Sequence, residues 1–281
     1  MGVRMAGVPE HFNYPWKILF RERYLTDRSF QWTDVPEGTG RMKDLLAEGE
    51  IDCALMLTEG AVKAIAGGLQ ARILQVYVGS PLLWGVHLGY RMGPVNKEDL
   101  RGMKVAISRV GSGSHLMAYL YARSMGWDHG RLEFVRVDHL QKALAYLSGD
   151  PDCYFLWEKF TTQPYVDDRR LVRADIFPTP WPCFVWVCSL KALEQSAEEL
   201  RELQAEINEI TSGFKDREDI EKEVSDFYRL PFDQVREWLE CTHWSREPLK
   251  QEELNAVQDT LVELGLIEGR LSYSDLARRS V

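Results

Sequence analysis

The chain lacks most of the features that would assign it a class at once. Its five cysteines, Cys53, Cys153, Cys183, Cys188 and Cys241, form no Cys-x-x-Cys pair. An odd, unpaired set argues against a disulfide scaffold and points to a reducing compartment. No His-x-x-x-His pair accompanies them, so no metal site is expected. No basic run interrupts the chain, and 34 Lys and Arg face 43 Asp and Glu, a net charge of −9. A chain of that sign repels phosphate backbones, which sets nucleic acid aside as a partner. No apolar run is long enough to cross a bilayer, and the start does not read as a signal peptide. The expected location is therefore the cytoplasm, or the periplasm where a leader has been removed.

What is present is an internal echo about 100 residues apart. Met42-Lys43-Asp44-Leu45-Leu46-Ala47-Glu48-Gly49-Glu50-Ile51-Asp52-Cys53 reads as a helix, a glycine stop and the start of a strand. Gln141-Lys142-Ala143-Leu144-Ala145-Tyr146-Leu147-Ser148-Gly149-Asp150-Pro151-Asp152-Cys153 reads the same way. Each continues as an apolar strand that ends on an acid, Glu59 in the first copy and Glu158 in the second. The flanks agree. Strand 3–8, helix 15–25 and strand 30–35 precede the first copy. Strand 103–108, helix 114–125 and strand 132–137 precede the second. Each half is thus β-α-β-α-β, the pattern of a parallel sheet with crossover helices.

Apolar strands at 72–78 and 83–88 lie between the copies, and another at 183–188 follows Pro178-Thr179-Pro180-Trp181-Pro182. Helices are expected at 192–211, 216–228, 231–240 and 250–264. The predicted fold is α/β, two-lobed, with a two-strand hinge and a helical C-terminal tail packed on the first lobe. Residues 1–88 and 186–281 make lobe I, and 89–185 make lobe II. Two extended passages between lobes suit a hinge that closes on a ligand.

In parallel α/β sheets, ligands lie beyond the carboxyl ends of the strands. That rule selects Glu10, His11, Asn13 and Tyr14, then Thr39, Thr58 and Glu59, in the first lobe. In the second it selects Arg109, Ser112, Gly113, Ser114 and His115, then Trp157 and Glu158. Gly111-Ser112-Gly113-Ser114 sits between a strand and a helix, where backbone amides and hydroxyls can hold an anion. It is neither a Walker loop nor G-x-G-x-x-G, because Leu116 stands where a third glycine belongs. Glu10 beside His11 suits acid–base work or hydrogen bonds to a heterocycle, with Tyr14 and Trp16 placed to stack on a ring. Glu59 and Glu158 suit a cationic or amino-bearing ligand, or else each caps a helix or pairs with Arg109 or a nearby lysine. Trp84 and Trp181 lie on or beside the crossing strands and either wall the cleft or pack the core. Cys183 and Cys188 are expected to be buried on opposite faces of their strand.

Gly7-Val8-Pro9-Glu10-His11-Phe12-Asn13-Tyr14-Pro15-Trp16, Glu37-Gly38-Thr39-Gly40-Arg41-Met42, Leu57-Thr58-Glu59-Gly60 and Gly79-Ser80-Pro81-Leu82-Leu83-Trp84-Gly85-Val86-His87 resemble the type II periplasmic-binding-protein fold. The branch is that of nitrate/sulfonate/taurine-binding proteins and thiamine-pyrimidine synthases, in a signal-less subgroup of fungi and bacteria. The resemblance implies ligand contacts at Glu10, His11, Asn13, Thr39, Thr58, Ser80, Ser112 and Trp157. The Cys-Cys-Cys-Phe-Cys run of the synthases is not matched; Pro182-Cys183-Phe184 stands near its place. The expected function is solute binding, with no cofactor and no catalytic residue, the ligand being polar, heteroaromatic or a sulfonate or carboxylate. A transporter permease is a partner only where a leader has been removed. The alternative is an enzyme on the same fold acting on a pyrimidine or other small metabolite, as in thiamine-pyrimidine or menaquinone precursor synthesis, with His11 or His115 as base.

Overall fold

The structure is a computed structural model that describes residues 2–24 and 30–278. The chain divides into two compact units, Met1–Pro81 with Trp181–Val281, and Leu82–Pro180. It passes out of the first unit once and returns once.

The first unit is built on β1 (Val3–Gly7), α1 (Tyr14–Tyr24), β2 (Phe30–Asp34), α2 (Thr39–Glu48), β3 (Cys53–Leu57), α3 (Thr58–Ala66) and β4 (Ala71–Val78). The second contains β5 (Leu83–Gly89), β6 (Lys104–Ile107), α4 (Gly113–Ser124), β7 (Phe134–Arg136), α5 (Leu140–Gly149), β8 (Cys153–Glu158), α6 (Lys159–Asp167) and β9 (Leu171–Pro178). Back in the first unit follow β10 (Phe184–Ser189), α7 (Leu190–Gln195), α8 (Ala197–Ser212), α9 (Ile220–Tyr228), α10 (Phe232–Cys241), α11 (Gln251–Glu263) and α12 (Tyr273–Leu276).

The two sheets share one plan. The first has the order β2-β1-β3-β10-β4 and the second β7-β6-β8-β5-β9. The first three strands of each order run parallel, because a helix carries the chain back between them. One antiparallel strand is inserted into each, β10 between β3 and β4, and β5 between β8 and β9. Strand order reverses about β1 and β3 in the first sheet and about β6 and β8 in the second. Those reversals are the switch points at which such sheets open a crevice beyond their carboxyl ends.

The expectation placed 83–88 in the first lobe and 183–185 in the second. The units part instead at 81/82 and 180/181. Hydrogen bonding decides this: β5 pairs only with strands of the second sheet, and Phe184 already pairs with Leu57 and Val78. Thr58-Glu59 and Glu158 were expected at strand tips. Glu158 does end β8 and also caps α6, whereas Thr58 and Glu59 open α3. Both helices were missed in the sequence because α3 is apolar nearly all round and α6 contains Pro164. The expected helix 192–211 is two helices parted at Ser196.

The tail packs on the first unit. Isolated bridges from Trp244 to Val78 and from Ala277 to Ile73 cover the open edge of β4. The buried Gln75 of β4 ties the tail in: its amide donates to Asn208 Oδ1 (2.7 Å) and Ser245 O (2.9 Å), and its carbonyl accepts from Gln204 (2.7 Å). Cys53 and Cys188 correct the cysteine reading. They lie opposite each other in the β3–β10 ladder, fully buried, and form a disulfide. Spacing in sequence hid the pair because 135 residues separate the partners. Cys153, Cys183 and Cys241 lie outside this disulfide. Denaturing the protein in an alkylating reagent without reductant is therefore expected to add three labels per chain by mass spectrometry, rising to five after reduction; five labels without reductant would refute the bridge.

Candidate functional site

At the switch point of the first sheet, the chain leaving β1 turns at once. Gly7 is required there: a Cβ would stand 2.7 Å from both the Asn13 amide nitrogen and the Trp32 ring. Asn13 donates through Nδ2 to Val8 O (2.8 Å), closing the turn. His11 is buried, stacked on Phe12 at 4.7 Å and meeting Trp238 edge-on at 4.6 Å. Burial lowers its pKa to about 3. Tyr14 is also buried, donating to Glu223 Oε2 (3.2 Å) among the rings of Phe214, Phe227 and Tyr228. Trp16 lies wholly in the core. His11 is thus no general base, and Tyr14 and Trp16 are not free to stack on a ligand. Among these residues Glu10 alone keeps partial exposure.

The carboxyl end of β3 holds a second group. Thr39 Oγ1 accepts from Leu57 N (3.2 Å). Thr58 donates its hydroxyl to Pro182 O (2.5 Å) and its amide to Cys183 O (3.1 Å). Glu59 Oε2 accepts from the Trp181 indole (2.9 Å), while Glu59 Oε1 is buried with no hydrogen-bond partner. Burial pushes the Glu59 carboxyl up to about 7, against the opposing pull of its own backbone amide and the indole. Ser80 stands beside this group: its carbonyl accepts from Cys183 N (3.2 Å) and its hydroxyl from His243 N (3.0 Å).

The second sheet presents a serine turn at its own switch point. Gly111 takes a φ of 80°, which lets the chain double back before α4. Ser112 Oγ caps α4 by accepting from His115 N (3.3 Å) and lies 3.1 Å from Ser114 Oγ. Ser114 Oγ in turn accepts from Ser108 N (3.2 Å). His115 Nδ1 accepts from Gly111 N (3.0 Å), and its ring packs edge-on against Phe134 and Tyr119. His115 thus braces the turn. Gly113 is the first residue of α4, and the half-buried Arg109 accepts through its carbonyl from Ser112 N (3.1 Å).

Trp84, Trp157 and Glu158 gather one step along. Trp84 pairs with Glu158, and Gly85 with Trp157, across β5 and β8. Glu158 is the cap of α6: its carboxylate accepts from Phe160 N (3.1 Å) and Thr161 N (2.6 Å), so the capping alternative holds. Burial raises its pKa and those amides oppose the rise. Trp157 is half-buried against the apolar cluster around Phe155 and Ala143. The Trp84 indole nitrogen is buried without a partner.

Sequence reasoning missed two buried polar groups here. Lys159 is buried, its ammonium 4.4 Å from the Phe160 ring. His87 of β5 is wholly buried, with Nε2 3.2 Å from Arg173 Nε and 3.1 Å from Thr162 Oγ1. The only hint of His87 was a polar residue inside an apolar strand. Among the described residues, no cluster of three or more His, Cys, Asp or Glu is placed to hold a metal ion.

Buried groups with opposite preferences make stability depend on pH. His11 and His87 both titrate near 3 when folded, far below the ordinary 6.5. The unfolded chain binds those protons first, so their contribution is complete above 6.5 and is lost as pH falls toward 3. Glu59 acts in reverse, since its folded value lies above 4.5. Its ionisation destabilises progressively from about 4.5 upward, by roughly 3 kcal/mol once pH exceeds 7. Replacing His11 with Phe is expected to flatten the fall of Tm between pH 6.5 and 4. Glu59→Gln is expected to raise Tm at pH 8 and leave it nearly unchanged at pH 4. Thermal denaturation across that range reads both.

The chain is similar to proteins of known structure over its whole length. The family described as Ca3427-like PBP matches residues 84–175. The Candida albicans CA3427 gene product, described as exhibiting the generic periplasmic binding protein fold, aligns over 100% of this chain and 97% of its own at 24% identity, TM-score 0.88. The periplasmic aliphatic sulphonate binding protein SsuA from Escherichia coli aligns over 100% and 92% at 17% identity, TM-score 0.73. The alkanesulfonate-binding protein SsuA from Xanthomonas axonopodis pv. citri, bound to MOPS, aligns over 99% and 95% at 15% identity, TM-score 0.74. No curated protein sequence matches the chain. These likenesses establish a two-lobed α/β fold of the type II periplasmic-binding-protein kind.

Proposed function

We propose that the protein binds a small polar molecule through groups at the carboxyl end of a sheet, and carries it without converting it. The observation that supports this most is the set of polar groups that the carboxyl ends of the sheets hold. The first unit offers a buried carboxyl oxygen, Glu59 Oε1, with no partner. The second carries the serine turn that opens α4, with Arg109 just before it in the chain. Hydrogen-bonding groups abound at both ends, while His11 and His115 are held in packing roles. Binding, not bond-making, fits that set.

The second unit's end suits an anionic group, since Arg109 and the amides of a helix start both favour negative charge. The names of the two SsuA proteins, and the MOPS bound to one of them, support a sulfonate or similar anion as the class to try first. The Cys53–Cys188 bridge favours an oxidising compartment over the cytoplasm. There a transporter permease is the partner to which such a carrier delivers.

Native mass spectrometry of protein purified from its own host is expected to show a retained small molecule. After its removal, that compound restores a raised Tm and is recovered unchanged. Arg109→Ala is expected to weaken its binding at least tenfold. Turnover of the compound, or full affinity in the Arg109 variant, sinks the reading.

A further inference from the structure

Thr58 and Glu59 do more than line the end of β3. Four hydrogen bonds converge on the stretch where the chain re-enters the first unit. Glu59 Oε2 takes the Trp181 indole N–H at 2.9 Å. Thr58 holds the Pro182 and Cys183 carbonyls at 2.5 and 3.1 Å. Cys183 N reaches back to Ser80 O at 3.2 Å, in the last residues before the chain departs. The first two residues of α3 therefore clasp the returning segment, and that segment is bonded to the departing one. Only one oxygen of Glu59 serves the clasp. The other is buried and has no partner, and a buried acceptor in that state lacks a hydrogen bond that a donor would restore.

We propose that Glu59 links ligand recognition to the return crossing: Oε1 accepts an N–H from an amino-bearing ligand while Oε2 holds Trp181. This rests on the binding function proposed above and specifies the ligand group that the first unit takes. Glu59 is a recognition residue through Oε1 and a positioning residue through Oε2. Its two oxygens share one delocalised charge, so a proton or a donor at Oε1 weakens or reorients the bond at Oε2. A carboxyl that titrates near 7 makes the link readable without any ligand. Burial, its own backbone amide and the Trp181 indole are the influences on it. Lys63, one turn further along α3, is half-buried, and burial lowers its pKa.

The test follows the Trp181 indole N–H by ¹⁵N–¹H correlation spectroscopy in the full chain, assigned by its loss in Trp181→Phe. In the ligand-free protein, the resonance is expected to move sigmoidally with a midpoint near pH 7 and to stop moving in Glu59→Gln. A resonance that ignores pH between 5 and 9 overturns the clasp. At pH 8, 3-amino-1-propanesulfonate is expected to shift the resonance, and 1-propanesulfonate, which lacks the amine, is not. Glu59→Gln is expected to cost the amino compound at least tenfold in affinity. Equal shifts from both compounds, or none from either, overturn recognition by Glu59. The retained-compound experiment stands apart from these outcomes: a carrier whose ligand bears no N–H at this end passes that experiment and fails this one.

Discussion

The insertion of β10 between β3 and β4 is the constraint on which the first unit depends. Its residues Val185, Trp186, Val187 and Cys188 are completely buried, and the strand bonds to neighbours on both sides. Without it, β4 has no partner in the sheet, and α11 and α12, which pack on α3 and β4, lose their platform. The same insertion brings Trp181, Pro182 and Cys183 to the carboxyl end of β3. That is the only reason a residue so distant in sequence can donate to Glu59. The bridge from Cys53 to Cys188 sits in the same ladder and ties the inserted strand covalently to its neighbour.

Burial then decides which polar side chains remain available. A buried polar group is costly unless it is bonded, so most residues that look functional at strand ends are drawn into caps and turns. Glu158 caps α6, Ser112 caps α4, Asn13 closes the turn after β1, and His115 braces the serine turn. Each holds the backbone at a switch point in one shape.

The repeat made the two-sheet plan legible in the sequence. Gly-x-x-Asp-Cys recurs because in each half a helix must stop, turn and enter the central parallel strand at the same place. The inserted strands β5 and β10 were visible as apolar runs, but which sheet each joins was not, since both lie beside a crossing and pairing is set by distant partners. β9 escaped notice because, as a half-buried edge strand, it carries Arg173 and Asp175 among its apolar residues. The candidate residues were legible by location, through the rule about carboxyl ends. Their roles were not: whether an acid binds a ligand or caps a helix depends on amides that only the folded chain brings within reach. His11 shows the same limit, because the aromatic ring that meets it edge-on comes from α10, more than two hundred residues later.

The discontinuity of the first unit also sets an order of assembly. The second unit is one unbroken stretch, complete once Pro180 has been made. The first has four of its five strands by then but no central antiparallel member, which arrives only with Phe184–Ser189. During synthesis the later-numbered unit can therefore finish folding before the one that contains the N-terminus. Until then β3 and β4 each present an unpaired apolar edge on the ribosome, and a nascent-chain chaperone has its greatest reason to engage at that stage.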